Sequence, residues 1–199
     1  MSEQNSTPAR RRILDAADEL FYAHGINSTG VDAVIEAAGV ARMTFYKHFG
    51  GKQALIMAYL EGRETRWQLR LQRAIDDAGD DPRARLLAVF DALEGWAQSE
   101  SQFRGCSFVN ALAELAEPDH PARAVIHSYK AALRDCVFQL AQESRTADPE
   151  LLTDQLMLVY EGAISTNSLH TVENAVGKAH FTAAQLINAS VPVASDRPS

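Results

Sequence analysis

The sequence has few cysteines, no long apolar run and no secretory signal. Its two cysteines, Cys106 and Cys136, are too few for a disulfide framework, which favours a reducing compartment. No apolar run approaches the ~20 residues that a membrane span needs. The N-terminal segment also lacks the apolar stretch that follows the charges of a secretory signal. We therefore expect a cytoplasmic protein with no membrane segment.

Motifs for catalysis and metal binding are also lacking. The six histidines are scattered, and no Cys or His pair has the spacing of a zinc site. The sequence contains neither a Gly-rich phosphate loop nor the G-x-S-x-G turn that presents a nucleophile. These absences predict no enzyme activity, no metal site and no cofactor.

The net charge of −7 is distributed unevenly. Residues 1–75 carry a charge of +2, whereas residues 76–199 carry −9. The acidity that would repel nucleic acid thus belongs to the C-terminal part, and a small N-terminal module remains free to approach phosphates. Within that module, the run Arg10–Arg12 is either a solvated helix start or an arm that contacts DNA.

Helical periodicity runs through the whole chain, without the sustained alternation of β-strands. Thr7 before Pro8 is typical of a helix start. Thr29 is predicted to cap the second helix, with Asp32 completing a capping box. The sequence therefore predicts an all-α fold. Helices are expected at about 8–24, 30–38, 41–49, 52–76, 82–100, 104–116, 121–143, 149–170 and 172–189.

A short helix after a glycine turn carries the chemistry. In the stretch AAGVARMTFYKHFGGKQAL (Ala37–Leu55), Phe45 and Phe49 lie one turn apart and predict a buried face. The second helix, the turn at Gly39 and the third helix then form a helix-turn-helix unit, whose outer face can enter a major groove. The predicted DNA contacts are Arg42, Met43, Thr44, Tyr46, Lys47, His48 and Lys52.

These side chains suit two kinds of DNA contact. An arginine at a helix start can make a bidentate contact with guanine, and Met43 can touch a thymine methyl group. Thr44, Tyr46 and His48 can donate to phosphate oxygens, which position the helix without reading sequence. Lys52 begins the fourth helix, where free N–H groups and the helix dipole already favour an anion.

The string GVARMTFYKHFGGKQAL resembles the DNA-binding signature of the TetR family of bacterial transcriptional regulators. The matching positions are Gly39-Val40, Thr44-Phe45-Tyr46, His48-Phe49 and Lys52. The resemblance covers roughly residues 10–60, with Ala41 in place of the more common serine cap. By position, it implies phosphate contacts for Thr44, Tyr46, His48 and Lys52, and base contacts for Arg42, Met43 and Lys47.

The resemblance further implies a C-terminal domain that binds a small-molecule effector and forms a homodimer on an inverted-repeat operator. For dimerisation we predict the last two helices, around Leu156–Leu169 and Ala175–Ile187. The small residues Gly162, Ala163 and Ser165 either allow close packing of the partner or pack within the chain. The candidate effector pocket comprises side chains that either face a cavity or are ordinary core residues: Phe90, Trp96, Cys106, Phe108, Asn110, Glu114, His127, Tyr129, Tyr160, Glu161 and Asn167.

The expected organisation is a disordered arm (1–8), a helix-turn-helix domain (9–55), a helical effector-binding and dimerisation domain (56–190) and a disordered tail (191–199). The expected function is a homodimeric repressor that a small molecule releases from its operator. Two alternatives remain open. One is a redox or electrophile sensor acting through Cys106, because a thiol near a helix N-terminus can be reactive. The other is an all-α ligand-binding protein or enzyme that does not bind DNA.

Overall fold

The computed structural model describes residues 7–99 and 103–191, and every regular element in these ranges is an α-helix. The all-α prediction is thereby confirmed. Residues 1–6 of the predicted arm and 192–199 of the predicted tail lie outside the described residues. The helices are α1 (Pro8–His24), α2 (Val31–Ala38), α3 (Arg42–Phe49), α4 (Lys52–Asp77), α5 (Pro82–Ser99), α6 (Ser107–Glu114), α7 (Pro121–Glu143), α8 (Pro149–Ser168) and α9 (Ala175–Ser190).

Helix boundaries follow the signals in the sequence closely. The Thr7 side chain accepts a hydrogen bond from the Arg10 N–H at 3.3 Å and caps α1, which begins at Pro8. Gly39 and Gly50 directly follow α2 and α3. Ala41 occupies the N-cap position of α3 and supplies no side-chain cap bond, so this helix lacks the contribution of about 1 kcal/mol that a serine cap typically makes.

The prediction that Thr29 caps α2 is wrong. Gly30 occupies the N-cap position, and no side chain caps this helix. Thr29 is instead buried, and its hydroxyl donates to the carbonyl oxygen of Gly25 at 2.8 Å and of Leu20 at 3.3 Å. The hydroxyl thus satisfies carbonyl groups at the end of α1, where a helix leaves its last acceptors unpaired.

The described chain divides into two compact units. The first unit contains residues up to Arg66 together with Cys106–His127. In this unit α1 packs against both α2 and α3. Its core is apolar and closed to solvent, with side chains at most 3% exposed at Ile13, Ala17, Phe21, Val34, Phe45, Leu55 and Leu60. Helix α6 belongs to this unit by its contacts, although it lies far along the chain from α1–α3.

The second unit contains Trp67–Gly105 and the residues from Ser128 onward. Helix α9 packs against both α5 and α8. The core here is again apolar, with side chains at most 2% exposed at Leu86, Phe90, Leu93, Leu152, Leu156 and Ile187. None of the described helices is both long enough and apolar enough to cross a membrane.

Candidate functional site

Helix α3 has one buried face and one open face. Phe45 is fully buried and Phe49 is 6% exposed, and their rings lie 5.9 Å apart. The guanidinium group of Arg10 lies 5.2 Å from the centre of the Phe49 ring, in a cation–π contact. The predicted buried face is therefore confirmed, and the intervening residues of α3 are directed outward.

The outward face carries the predicted DNA contacts of α3. Met43 is 79% exposed and Tyr46 is 43% exposed, large values for side chains with so much apolar surface. Arg42 and Lys47 are exposed, whereas Thr44, His48 and Lys52 are half-buried. Neither Lys47 nor Lys52 forms an ion pair within residues 7–99 and 103–191. Both ammonium groups are thus available to an anion.

Arg42 is paired with Asp32, a residue for which the sequence predicted only a role at the start of α2. Its Nη2 atom donates to Oδ1 of Asp32 on α2 at 2.5 Å, and both side chains are exposed. The hydrogen bond and charge of Asp32 raise the pKa of Arg42 above its ordinary value, with a smaller contribution from Tyr46. The pair fixes where the guanidinium group points when DNA is absent.

His48 is linked to the first helix. Its Nε2 atom lies 3.2 Å from Oγ1 of Thr7, the same atom that accepts from the Arg10 N–H. The cap of α1 therefore also orients an imidazole on the outward face of α3. Thr7 before Pro8 predicts the cap, but no local pattern predicts this contact, which joins residues far apart in the chain.

Helix α6 is bound to the α1–α2 turn through Glu114. One carboxylate oxygen of Glu114 accepts from the Asn27 backbone N–H at 2.6 Å, and its backbone carbonyl accepts from the Asn27 side chain at 2.7 Å. Gly25 has φ +91°, and a β-carbon there would lie 2.7 Å from the Glu114 carboxylate. Glu114, one of the predicted pocket residues, thus contacts the turn that precedes α2.

The start of α6 is bound as well. Ser107, its first residue, forms a hydrogen bond with the Tyr59 hydroxyl of α4. Burial raises the pKa of Tyr59 well above its ordinary value, although the nearby Arg63 and the bond with Ser107 act in the opposite direction. Tyr59 therefore stays a neutral hydrogen-bonding group, and α6 is held at both ends within the first unit.

The predicted pocket residues separate into two groups. Phe90, Trp96 and Tyr160 come together in the second unit, where they join two rings that the prediction missed, Trp67 and Phe103. Tyr129, Glu161 and Asn167 also belong to the second unit, whereas Cys106, Phe108, Asn110, Glu114 and His127 belong to the first. Glu161 forms an ion pair with Lys130 at 2.6 Å, so its charge is already compensated.

The two cysteines are free thiols in different compact units. Cys106 is buried at the N-cap position of α6 and makes no side-chain cap bond. Burial raises the pKa of Cys136, which keeps that thiol protonated at neutral pH. Sensor cysteines are usually accessible thiolates, so the redox alternative has no support here. Within the described ranges, no group of three His, Cys, Asp or Glu residues is arranged to hold a metal ion.

Two family models match the chain over most of its length. The model described as bacterial regulatory proteins, tetR family, matches residues 13–59. The model described as tetracyclin repressor-like, C-terminal domain, matches residues 82–183. The first match contains α2, α3 and the turns on both sides of each. The second contains Phe90, Trp96, Phe103 and Tyr160.

Individual proteins are also similar to this chain over most of its length. The crystal structure of SCO4454, a TetR-family transcriptional regulator from Streptomyces coelicolor, has a TM-score of 0.86 at 28% identity and covers 93% of this chain and 97% of its own. The transcriptional repressor DhaR of Mycobacterium sp. strain GP1 is 25% identical, over 79% of this chain and 81% of its own. The transcriptional activator FasR of Mycolicibacterium smegmatis is 29% identical, over 80% of this chain and 69% of its own.

Proposed function

We propose an operator-binding repressor cycle for this chain, which belongs to the TetR family of bacterial regulatory proteins and is a DNA-binding transcriptional regulator, not an enzyme. In this cycle a homodimer binds an inverted-repeat operator and blocks transcription. A small-molecule effector then binds the C-terminal helices and releases the dimer from DNA. The observation that carries the proposal is the outward face of α3, which is polar and exposed between two buried phenylalanines.

The proposed division of labour on DNA follows from side-chain chemistry. Arg42, Met43 and Lys47 read base edges, because their long, flexible side chains are exposed on α3 and can reach into a groove. Thr44, Tyr46, His48 and Lys52 contact phosphates and fix the register of the helix. The link between Thr7 and His48 supports this role, since an oriented imidazole loses less conformational entropy on binding.

An exposed apolar stripe supports dimerisation through α8 and α9. Leu158 is 76% exposed, Leu151 is 54% exposed and Phe181 of α9 is 64% exposed. Leu151 and Leu158 are seven residues apart, so they lie on one face of α8. The exposed Gly162 and Ser165 continue that face, whereas Ala163 is buried within the second unit. Large exposed apolar side chains of this kind favour a protein interface.

The position of α6 supports a route for the effector signal. By sequence, α6 lies within the C-terminal family match, yet it is hydrogen-bonded to the α1–α2 turn and to α4 of the first unit. A shift of α6 on effector binding would therefore change the hydrogen bonds that position α2 and α3. Release requires only that the bound effector favours a head orientation that cannot fit the operator.

Whether the bound dimer represses or activates transcription is a separate question. One similar protein is named a repressor and another an activator, so the same DNA-reading unit serves both outcomes. We propose repression, because a bound dimer without a further partner can block a promoter by occupancy alone. Activation would appear as reduced reporter expression when the chain is removed.

The test begins with selection of bound duplexes from a random DNA pool at moderate salt. The expected result is enrichment of an inverted repeat, because a two-fold symmetric dimer reads two identical half-sites. A reporter carrying that operator should then be expressed more strongly without the chain than with it. Enrichment of a single half-site would overturn the dimeric mechanism, and no binding even at low salt would overturn the operator-binding proposal.

A further inference from the structure

Five aromatic side chains of the second unit form a continuous edge-to-face cluster. Trp67 of α4 lies 6.1 Å from Trp96 of α5 and 6.0 Å from Tyr160 of α8, measured between ring centres. Phe90 contacts Tyr160 at 6.2 Å, and Phe103 contacts Trp96 at 4.8 Å. We call these five residues the aromatic cluster. Four separate segments of the chain contribute to it, so a flat molecule bound there would contact several of them.

The aromatic cluster has a packed base and an accessible edge. Phe90 is 1% exposed and Tyr160 is 4% exposed, so these two rings belong to the core. Trp67, Trp96 and Phe103 are only partly buried. Each of these three rings keeps a solvent-accessible part, and together these parts offer a limited apolar surface for a ligand ring.

One polar atom in the aromatic cluster is unsatisfied. The indole nitrogen Nε1 of Trp67 is buried and has no hydrogen-bond partner among the described residues. Buried indole N–H groups normally find an acceptor, and leaving one unpaired destabilises the protein. An unpaired donor beside accessible rings fits a ligand that brings an acceptor atom with it.

The charges beside the aromatic cluster define the ligand further. Arg70 lies one turn after Trp67 on α4, and its Nη2 atom donates to the Ser99 hydroxyl at 3.2 Å. The positive end of an N–H group and a neighbouring guanidinium group both disfavour a cation. A ligand that presents an acceptor oxygen to this indole N–H therefore fits better than one that presents a cation there.

We propose that the effector is a planar aromatic molecule with a carbonyl or comparable acceptor oxygen, which accepts a hydrogen bond from Trp67 Nε1 while its ring packs on the aromatic cluster. This inference rests on the proposed effector-controlled function and names the chemistry of its effector. Binding takes place on the C-terminal helices, so it can be measured without DNA.

The test compares two probes of nearly equal shape, 2-acetylnaphthalene and 2-isopropylnaphthalene. Only the first carries an acceptor oxygen, and the second is the more hydrophobic. Titration calorimetry on the full chain should give about tenfold tighter binding of 2-acetylnaphthalene, because the alternative leaves a buried donor unpaired. Equal affinity, a preference for 2-isopropylnaphthalene, or binding of neither probe would overturn the proposal.

Two variants locate the hydrogen bond. Trp67→Phe keeps an aromatic ring and removes the donor, so the preference for 2-acetylnaphthalene should disappear. Trp96→Phe is the matched control, since it removes the other indole from the same cluster and should retain the preference. Retention of the preference in Trp67→Phe would mean that a different group binds the acetyl oxygen, and the assignment to Trp67 would be wrong.

A measurement on the unmodified chain covers the case in which a variant fails to fold. The chain has two tryptophans, so a ¹⁵N-labelled sample gives two indole N–H resonances. With 2-acetylnaphthalene the Trp67 resonance should move downfield, and with 2-isopropylnaphthalene it should not. An unmoved Trp67 resonance at saturating probe would overturn the proposal. Failure of operator binding would instead count against the proposed function and leave this result intact.

Discussion

Asp32 and Arg42 form an ion pair across the helix-turn-helix, with 2.5 Å between Oδ1 and Nη2. Exposed pairs of this kind contribute little to stability, so the consequence concerns DNA. Arg42 must leave Asp32 before it can contact a base. Guanine compensates for that loss with two acceptors, O6 and N7, whereas on a base without them Arg42 can remain paired with Asp32. Asp32 therefore lowers the net gain that Arg42 brings to operator binding.

Asp32→Asn should accordingly strengthen binding to the operator more than binding to non-cognate duplexes, where Arg42 can stay with Asp32. The expected result is a severalfold higher ratio of operator to non-cognate affinity, measured by gel shift at fixed salt. Glu19→Gln is the matched control, because Glu19 is an exposed acid on α1 and the change removes the same charge. An equal gain in affinity for both DNAs would show a general charge effect and contradict the prediction.

Arg42→Ala should relax the preference at one base position in each half-site. Discrimination there should fall at least about fivefold, since a bidentate arginine–guanine contact is lost. Repeating the duplex selection with the variant and comparing base frequencies position by position measures the effect. The assignment of Arg42 to a base fails if the whole half-site weakens uniformly instead.

Lys52→Ala should weaken binding to every duplex alike, because a phosphate contact carries no sequence information. The slope of log affinity against log salt should become shallower by about one per subunit, as one fewer counterion is released. Arg73→Ala serves as the control, since Arg73 is an exposed cation elsewhere on α4. A salt slope identical to that of the parent would rule out the phosphate role.

Leu158→Glu should break the proposed dimer, because it places a charge in the exposed apolar stripe of α8. Sedimentation should give a monomer, and operator affinity should fall steeply as one half-site contact is lost. Leu69→Glu introduces the same charge at a leucine of α4 that is 50% exposed, and it should leave the assembly unchanged. A dimeric Leu158→Glu chain would place the interface elsewhere.

Gly25→Ala should destabilise the chain by about 1–3 kcal/mol, because φ +91° with ψ 158° is accessible essentially to glycine alone. The added methyl group would also displace the Glu114 carboxylate. Chemical denaturation of both single variants and of Gly25→Ala/Glu114→Ala separates the two causes. Gly25→Ala should lower the free energy of unfolding by less in the Glu114→Ala background. The loss that remains in that background measures the backbone strain. Strictly additive effects would mean that the contact contributes nothing.

Helix α3 was predictable because its signals are local. Phe45 and Phe49 mark its buried face by spacing alone, and Gly39 and Gly50 mark its ends. Thr29 misled the prediction because a threonine before a helix can cap it or bond backward, and only tertiary packing decides between them. The contact between Glu114 and Asn27 joins residues 87 apart in sequence, so no local pattern could reveal it.

The aromatic cluster was predictable only in part, for the same reason. Phe90, Trp96 and Tyr160 are conspicuous aromatic residues on apolar helices of the C-terminal half. Trp67 lies on α4, whose early turns belong to the first unit, and nothing in the sequence marks where the helix passes into the second. The unsatisfied state of its Nε1 atom depends on every neighbour at once and has no signature in the sequence.

The interleaving of the two units limits how this protein can be cut and recombined. A fragment ending near Arg66 would keep α3 but lose Ser107 and Glu114, which bond to Tyr59 and Asn27. Consider a chimaera that joins residues up to 66 of this chain to the C-terminal domain of another regulator. The α6 helix that packs against the α1–α2 turn would then come from the other protein. The unit to exchange between regulators is therefore residues up to 66 together with residues 106–127. Chimaeras built with this discontinuous boundary should retain their response to the effector.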